Sequence, residues 1–211
     1  MSEQAVHISR IRAAGLVALA LAIALAVGVG GFLLGRGAGG APAAEGVDAG
    51  FARDMQTHHR QAVELSFIIR DKTDDPALET LTYDIINSQA HQAGQMYGWL
   101  DAWGLSQNSA EPEMQWMTEF GHEHGHTHEE AMAAMGMATP EQIQRLRDAQ
   151  GVEAERLFLE LMITHHEGAL DMAQLAVDHA TQDEARRLAA AIIEVQTSET
   201  RLLREYLAER S

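Results

Sequence analysis

The tripeptide Thr-His-His occurs twice in this 211-residue chain, and the copies lie 107 positions apart. Each belongs to a longer segment. Met55-Gln-Thr-His-His-Arg-Gln-Ala-Val-Glu-Leu65 aligns without gaps on Met162-Ile-Thr-His-His-Glu-Gly-Ala-Leu-Asp-Met172. The same offset pairs Phe51 with Phe158, Ile85-Ile86 with Ile192-Ile193, Gln89 with Gln196, Trp99 with Tyr206 and Leu100 with Leu207. A register kept over that distance marks an internal duplication. Whatever one copy folds into, the other must repeat, and the two must pack together.

Within the first copy, Phe51, Met55, His58/His59, Ala62, Leu65 and Ile69 recur at three- and four-residue steps, which predicts an amphipathic helix from about residue 48 to 71. Asp75-Pro76 opens a second helix, with Asp75 as N-cap and proline at the first helical position. It continues to about Trp103 and stops at Gly104, with Leu78, Leu81, Ile85, Gln89, Met96 and Leu100 on its inward stripe. In the second copy, Thr139-Pro140-Glu141-Gln142 is a capping box, Gly151 interrupts the helix it opens, and a long helix follows from about 152 to 179. Thr181 and Glu184 form a second capping box, opening a last helix to about Glu209. Short loops make each copy an antiparallel hairpin. Two hairpins with apolar stripes bury them best against each other. The expected fold is therefore all-α, a four-helix bundle of two duplicated αα-hairpins over residues 48–209. Repeat 1 spans 48–104, an insert spans 105–138 and repeat 2 spans 139–209.

The N-terminus has a different character. Residues 1–12 are polar and include Arg10 and Arg12, and the 22 residues from Ala13 to Leu34 carry no charge. A helix of that length spans about 30 Å of hydrocarbon. The leading arginines predict a cytoplasmic N-terminus, a transmembrane anchor at 13–34 and an exported remainder. The competing expectation is a cleaved signal peptide, since Ala41-Pro-Ala43-Ala44 is a small-residue patch, and the product would then be secreted. The apolar run is longer than a typical signal core and Pro42 suits a cleavage site poorly, which favours the anchor. Residues 35–47, rich in Gly and Ala, read as a flexible tether.

Composition removes several function classes. Net charge is −16, and residues 1–44 hold only three Arg and one Glu, which leaves 12 basic and 30 acidic side chains beyond them. So acidic a domain repels phosphate backbones, and nucleic acid is excluded as a partner. The chain has no cysteine. Thiolate metal sites, disulfides and cysteine nucleophiles are therefore excluded, and any metal must use His, Met or carboxylate.

On a helix, Met162 precedes His165 by three residues and His166 by four, and Ala169 and Met172 continue that face. A thioether and an imidazole can thus line one strip. His165 and His166 project about 100° apart, so they face different neighbours. Met55, His58 and His59 repeat this geometry. If the two helices meet, four imidazoles and two thioethers become available. Thioether with imidazole suits Cu(I); imidazole alone suits Cu(II), zinc or nickel. A lone Met or His on a helix is more often a core residue, but paired imidazoles repeated in register would each need hydrogen-bond partners if buried without a task. Gln89 and Gln196, polar on apolar stripes, are candidates to steady a histidine ring from outside the coordination shell. Glu199 joins them; its counterpart is Gln92, which confines any carboxylate role to repeat 2.

The insert carries His122, His124, His126 and His128 between small or acidic residues, then Met132, Met135 and Met137. Such a tract binds zinc, copper or nickel adaptively. Its glycines predict a largely irregular segment, with a short helix near Pro112 carrying Met114, Trp116, Met117 and Phe120.

With these residues in place, the chain resembles a bacterial family, domain of unknown function 305. The resemblance rests on Phe158-x-x-x-Met162-x-x-His165-His166-Glu167-Gly168-Ala169-x-x-Met172-Ala173, on Gln196-x-x-Glu199, and on Met135-Gly-Met137 followed by Thr139-Pro140-Glu141. It covers roughly residues 48–208. It implies a ferritin-like helical bundle and, since the family includes exported copper-binding proteins, copper handling without an established enzyme activity. Repeat 1 departs from the pattern at Arg60-Gln61, Leu65 and Gln92, which implies a weaker or altered first site.

Three functions compete at this point. The first is copper buffering, storage or delivery outside the cytoplasm through Met55, His58, His59, Met162, His165, His166 and Met172, with a metal-transfer protein as a possible partner. The second is a ferritin-like di-iron oxidase, which needs paired Glu-x-x-His motifs on the long helices. The only matches are Glu119-x-x-His122 and Glu123-x-x-His126, in the insert. The third is a structural or interaction bundle that binds no metal.

Overall fold

A computed structural model describes residues 40–121 and 127–210. The expected anchor at 13–34, residues 35–39 of the tether, and His122, His124 and His126 lie outside the described residues. Among the described residues, no helix is long and apolar enough to cross a membrane.

Every regular element among the described residues is helical: α1 (Val47–Arg70), α2 (Pro76–Ala102), a 3-10 helix (Gln115–Phe120), α3 (His128–Ala134), α4 (Pro140–Asp148), α5 (Gly151–His179) and α6 (Asp183–Ala208). Helix α1 packs along α2, α5 packs along α6, and the two hairpins meet chiefly through α1 and α5. Asp75 caps α2 by accepting from the Ala77 amide, and Pro76 sits at the first turn. Thr139 and Gln142 form the reciprocal capping box that the sequence predicts for α4. The break between α4 and α5 falls at Ala149 and Gln150, and Gly151 takes a left-handed φ of 54° as α5 begins.

Two expectations are corrected. Residues 128–134, expected to be irregular, form α3, because Thr127 and Glu130 make a capping box that fixes its first turn. And α6 lacks the predicted Thr181–Glu184 box; its N-cap is Gln182, without a side-chain cap. The orphan amides at that end go instead to the other hairpin. Buried Asp48, in the first turn of α1, accepts from the Thr181 amide at 3.0 Å, the Thr181 hydroxyl at 2.9 Å and the Gln182 amide at 2.8 Å. Glu155, 107 residues later in the first turns of α5, accepts from the Thr73 hydroxyl and from Arg210 Nε, both at 2.6 Å. Each hairpin thus lends a carboxylate to the turn of the other.

The insert is fastened to α1. Asp54 Oδ2 accepts from the Met114 amide and from Trp116 Nε1, both at 2.8 Å. Met114 takes a left-handed φ of 62° at this anchor. The Trp116 ring lies on Gly50, where any β-carbon would overlap it.

The apolar interior falls into two clusters. One contains Phe51, Met55, Met96, Met114, Met117, Met135, Ala169 and Met172. The other contains Ala62, Leu65, Ile69, Phe158, Leu159 and Met162. Each joins the part of one helix before its His-His pair to the part of the other helix after it. Helices α1 and α5 therefore cross with opposite polarity, and the histidines lie at the crossing.

Replacing Asp48 by alanine should cost about 1–3 kcal/mol of unfolding free energy, since the part-buried amides of Thr181 and Gln182, just before α6, lose their acceptor. Urea denaturation of the Asp48→Ala variant checks this, and wild-type stability would show that the carboxylate does not cap α6.

Candidate metal centre

His58, His59, His165 and His166 are all fully buried. The rings of His58 and His165, one from each repeat, lie face to face with centroids 3.6 Å apart and planes inclined by 32°. His59 and His166 flank them, each with its centroid 6.3 Å from the ring of its sequence neighbour. The opposed helices bring the four imidazoles into one polar layer between the two apolar clusters.

Each Nε2 has a partner. His58 Nε2 lies 3.0 Å from the Met135 carbonyl oxygen, and His165 Nε2 lies 3.0 Å from the His58 carbonyl oxygen. His59 Nε2 lies 2.7 Å from Gln92 Oε1, and His166 Nε2 lies 2.7 Å from Glu199 Oε2. All four partners are acceptors, so each Nε2 carries the hydrogen and donates it. In a neutral ring the other nitrogen is then a bare lone pair. All four Nδ1 atoms are buried, and none has a hydrogen-bond partner in the protein.

Three of the rings, His58, His59 and His165, are held neutral for a physical reason. Burial holds His58 at a pKa of about 3, with the neighbouring His59 pushing the same way. Burial also brings His59 to about 4, and holds His165 well below the ordinary imidazole value, with His58 adding to the effect. An uncharged imidazole with a fixed Nε2 hydrogen and an unpaired lone pair on Nδ1 is the form that binds a metal ion.

The thioethers are divided by the crossing. Met55 and Met172 belong to the same cluster as Met135, whereas Met162 lies in the other. Met55 and Met162 pack in different apolar clusters, on either side of the imidazole layer. Soft sulfur is concentrated on the side of Met55, where Met96, Met114 and Met117 also pack. Gln89 and Gln196 are buried, and neither end of either amide has a partner. They hold no ring here; the side chains that do are Gln92 and Glu199. The role of Gln92 was readable from spacing, since His59 to Gln92 and His166 to Glu199 are both 33 residues. Charge was the misleading cue, because amide and carboxylate oxygens serve equally as acceptors.

Of the His/Met tract, Met135 is buried, and Met132, Met137 and His128 line a groove of about 620 Å³ beside Thr57. His128 is exposed, with Nδ1 3.1 Å from Glu113. Among the described residues, no three His, Asp or Glu side chains are gathered into a preformed shell.

The family model described as domain of unknown function (DUF305) matches residues 48–207. The chain belongs to the DUF305 family. A DUF305 protein of Streptomyces coelicolor, described as a candidate secreted protein, has a similar structure (TM-score 0.71, 45% identity, covering 80% of this chain and 96% of that one). A DUF305 fragment from Deinococcus radiodurans matches with a TM-score of 0.65 and 30% identity over 81% of this chain and 99% of its own. CopM in its Cu(I)-bound form shares the fold at 22% identity and a TM-score of 0.55, over 77% of this chain and 96% of that one. No curated protein matches the chain.

The buried rings give the metal-free DUF305 chain a defined acid response. The unfolded state takes up protons below the ordinary imidazole pKa of 6.5, while the folded rings resist until about 4 and 3. Stability therefore falls as pH drops below about 6.5, by roughly 1.4 kcal/mol per pH unit for each ring that resists. Asp54, raised by burial to about 6, opposes the trend between about 6 and 3.8. Thermal unfolding in chelator between pH 8 and 5 checks this; a midpoint that does not fall below pH 6.5 contradicts the buried neutral rings.

Proposed function

We propose that this DUF305 protein binds copper, as Cu(I), in its imidazole layer and serves to buffer, store or deliver it outside the cytoplasm. The observation that carries this reading is the set of four buried Nδ1 atoms without protein partners. Leaving a buried acceptor unsatisfied costs about 1–3 kcal/mol each. A bound soft ion offsets that cost, which hydrogen bonding within the protein does not. Neutral imidazoles beside thioethers are a donor set for Cu(I), and zinc or nickel would use the imidazoles alone.

The ligands we assign are His58, His59, His165 and His166, with Met55 and Met172 on the methionine-rich side. Met162 supplies the single thioether of the other side, where Leu65 stands opposite in place of a second methionine. Gln92 and Glu199 orient the outer rings, and Gln89 and Gln196 are buried amides without partners in the protein. The tract of His122, His124, His126, His128, Met132 and Met137 would collect ions for the interior. Solved structures of CopM with Cu(I) and with Cu(II) support the reading by fold. The candidate secreted relative and the acidic domain support an extracytoplasmic setting. The pairing of the long helices supports a ferritin-like bundle. A di-iron oxidase has less support, since such sites need several inward carboxylates and Glu199 is the acid bonded to this layer.

Anaerobic titration with Cu(I) against a competing chelator tests the assignment. Replacing all four histidines by glutamine should weaken binding by more than the roughly 100-fold that loss of a supporting residue produces. Met55→Leu with Met172→Leu should weaken Cu(I) binding more than Met162→Leu does. Unchanged affinity in the four-histidine variant removes the site, and equal losses in the methionine variants remove its one-sidedness. Bound ion should also raise the melting temperature with concentration.

A further inference from the structure

The two repeats differ at one aligned position in a way the copper reading does not use: Gln61 stands where repeat 2 has Gly168. Both residues face the same piece of chain, the strap that leaves α3 at Met135. Gln61 grips it from α1, with Nε2 donating to the Ala138 carbonyl at 2.9 Å and Oε1 accepting from the Ala138 amide at 2.7 Å. Gly168 clears space on α5, where a β-carbon would overlap the Met135 carbonyl group. Gly136 completes the fit. Its φ is 69°, and a β-carbon there would overlap the Thr164 carbonyl oxygen. The strap so placed buries the Met135 side chain and aims the Met135 carbonyl at His58 Nε2.

We propose that Gln61, Gly136 and Gly168 are positioning residues that seat the Met135–Ala138 strap, and that the seated strap fixes the His58 tautomer and slows escape of an ion held by the imidazole layer. The second half of this rests on the copper reading above; the first does not. His58 is the inner ring of repeat 1, and its Nε2 partner comes from neither repeat. Its counterpart His165 donates to a helix carbonyl of α1, which cannot leave without unwinding that helix. The His58 partner is the C-cap of α3, where the Met135, Gly136 and Met137 amides close the helix, and the strap beyond it is held to α1 and α5 by two side-chain hydrogen bonds and two glycine contacts. Release of the strap frees the His58 ring to exchange its hydrogen between nitrogens, and opens the layer toward the groove lined by Met132 and Met137.

The experiment uses the full chain with ¹⁵N-labelled histidine, in wild-type form and as Gly168→Ala and Gln61→Ala. Alanine favours the interior of α5 over glycine, so Gly168→Ala perturbs the strap while keeping the helix. Should that variant fold poorly, Gln61→Ala removes only the grip. In metal-free wild type, His58 ring nitrogen shifts should report hydrogen on Nε2 and a bare Nδ1. In both variants they should report a mixture, and Cu(I) should pass to a chelator roughly tenfold faster, as loss of one or two hydrogen bonds implies. A wild-type ring pattern in both folded variants overturns the proposal, as does an unchanged release rate from a wild type that holds copper. If wild type holds no copper the function fails separately, and the metal-free ring pattern still decides whether the strap sets the tautomer.

Discussion

The contact on which the rest of this structure depends is the stacking of His58 against His165 at the crossing of α1 and α5. Two neutral imidazoles 3.6 Å apart can be buried only if each has its N–H satisfied and neither is charged. The carbonyls of Met135 and His58 meet the first condition, and burial itself meets the second by holding the pKa down. One acceptor comes from the insert and the other from the opposite repeat. The layer therefore cannot form until both hairpins and the strap are in place. Local sequence builds the helices, and this contact fixes how they meet.

The duplication explains both the symmetry and its faults. Asp48 and Glu155 clasp the opposite turn at matched positions, and His59–Gln92 and His166–Glu199 are matched pairs. The departures cluster where the insert crosses one face only. Gln61 and Gly168 do different work for the same strap, one by hydrogen bonding and one by absence of a side chain. Leu65 and Met172 set the two apolar clusters apart, so that the insert adds Met114, Met117 and Met135 to a side already holding Met55.

Much of this was legible in the chain. The three-four spacing around Met55 and Met162 located α1 and α5, because burial on one face of a helix imposes that period. Asp75-Pro76 and Thr139-Pro140 located helix starts, because caps are local chemistry within four residues. The Thr181 reading failed for the converse reason. A carboxylate 133 residues away competes for the same amides, and no local rule can see it. Helix α3 was missed because glycines outweighed a capping box at Thr127 and Glu130 that was equally local.

By itself the sequence determined the helices, the repeat, the identity of the paired imidazoles and the exclusion of thiolate chemistry, since these follow from residue type and spacing along one chain. The tertiary structure decided which groups face each other. Opposed crossing of α1 and α5 put Met55 and Met162 on different sides of the histidines. The strap chose the nitrogen of His58 that carries hydrogen. The reason is that helix period fixes a direction around an axis, whereas the polarity and level at which two axes cross depend on contacts between residues far apart in sequence.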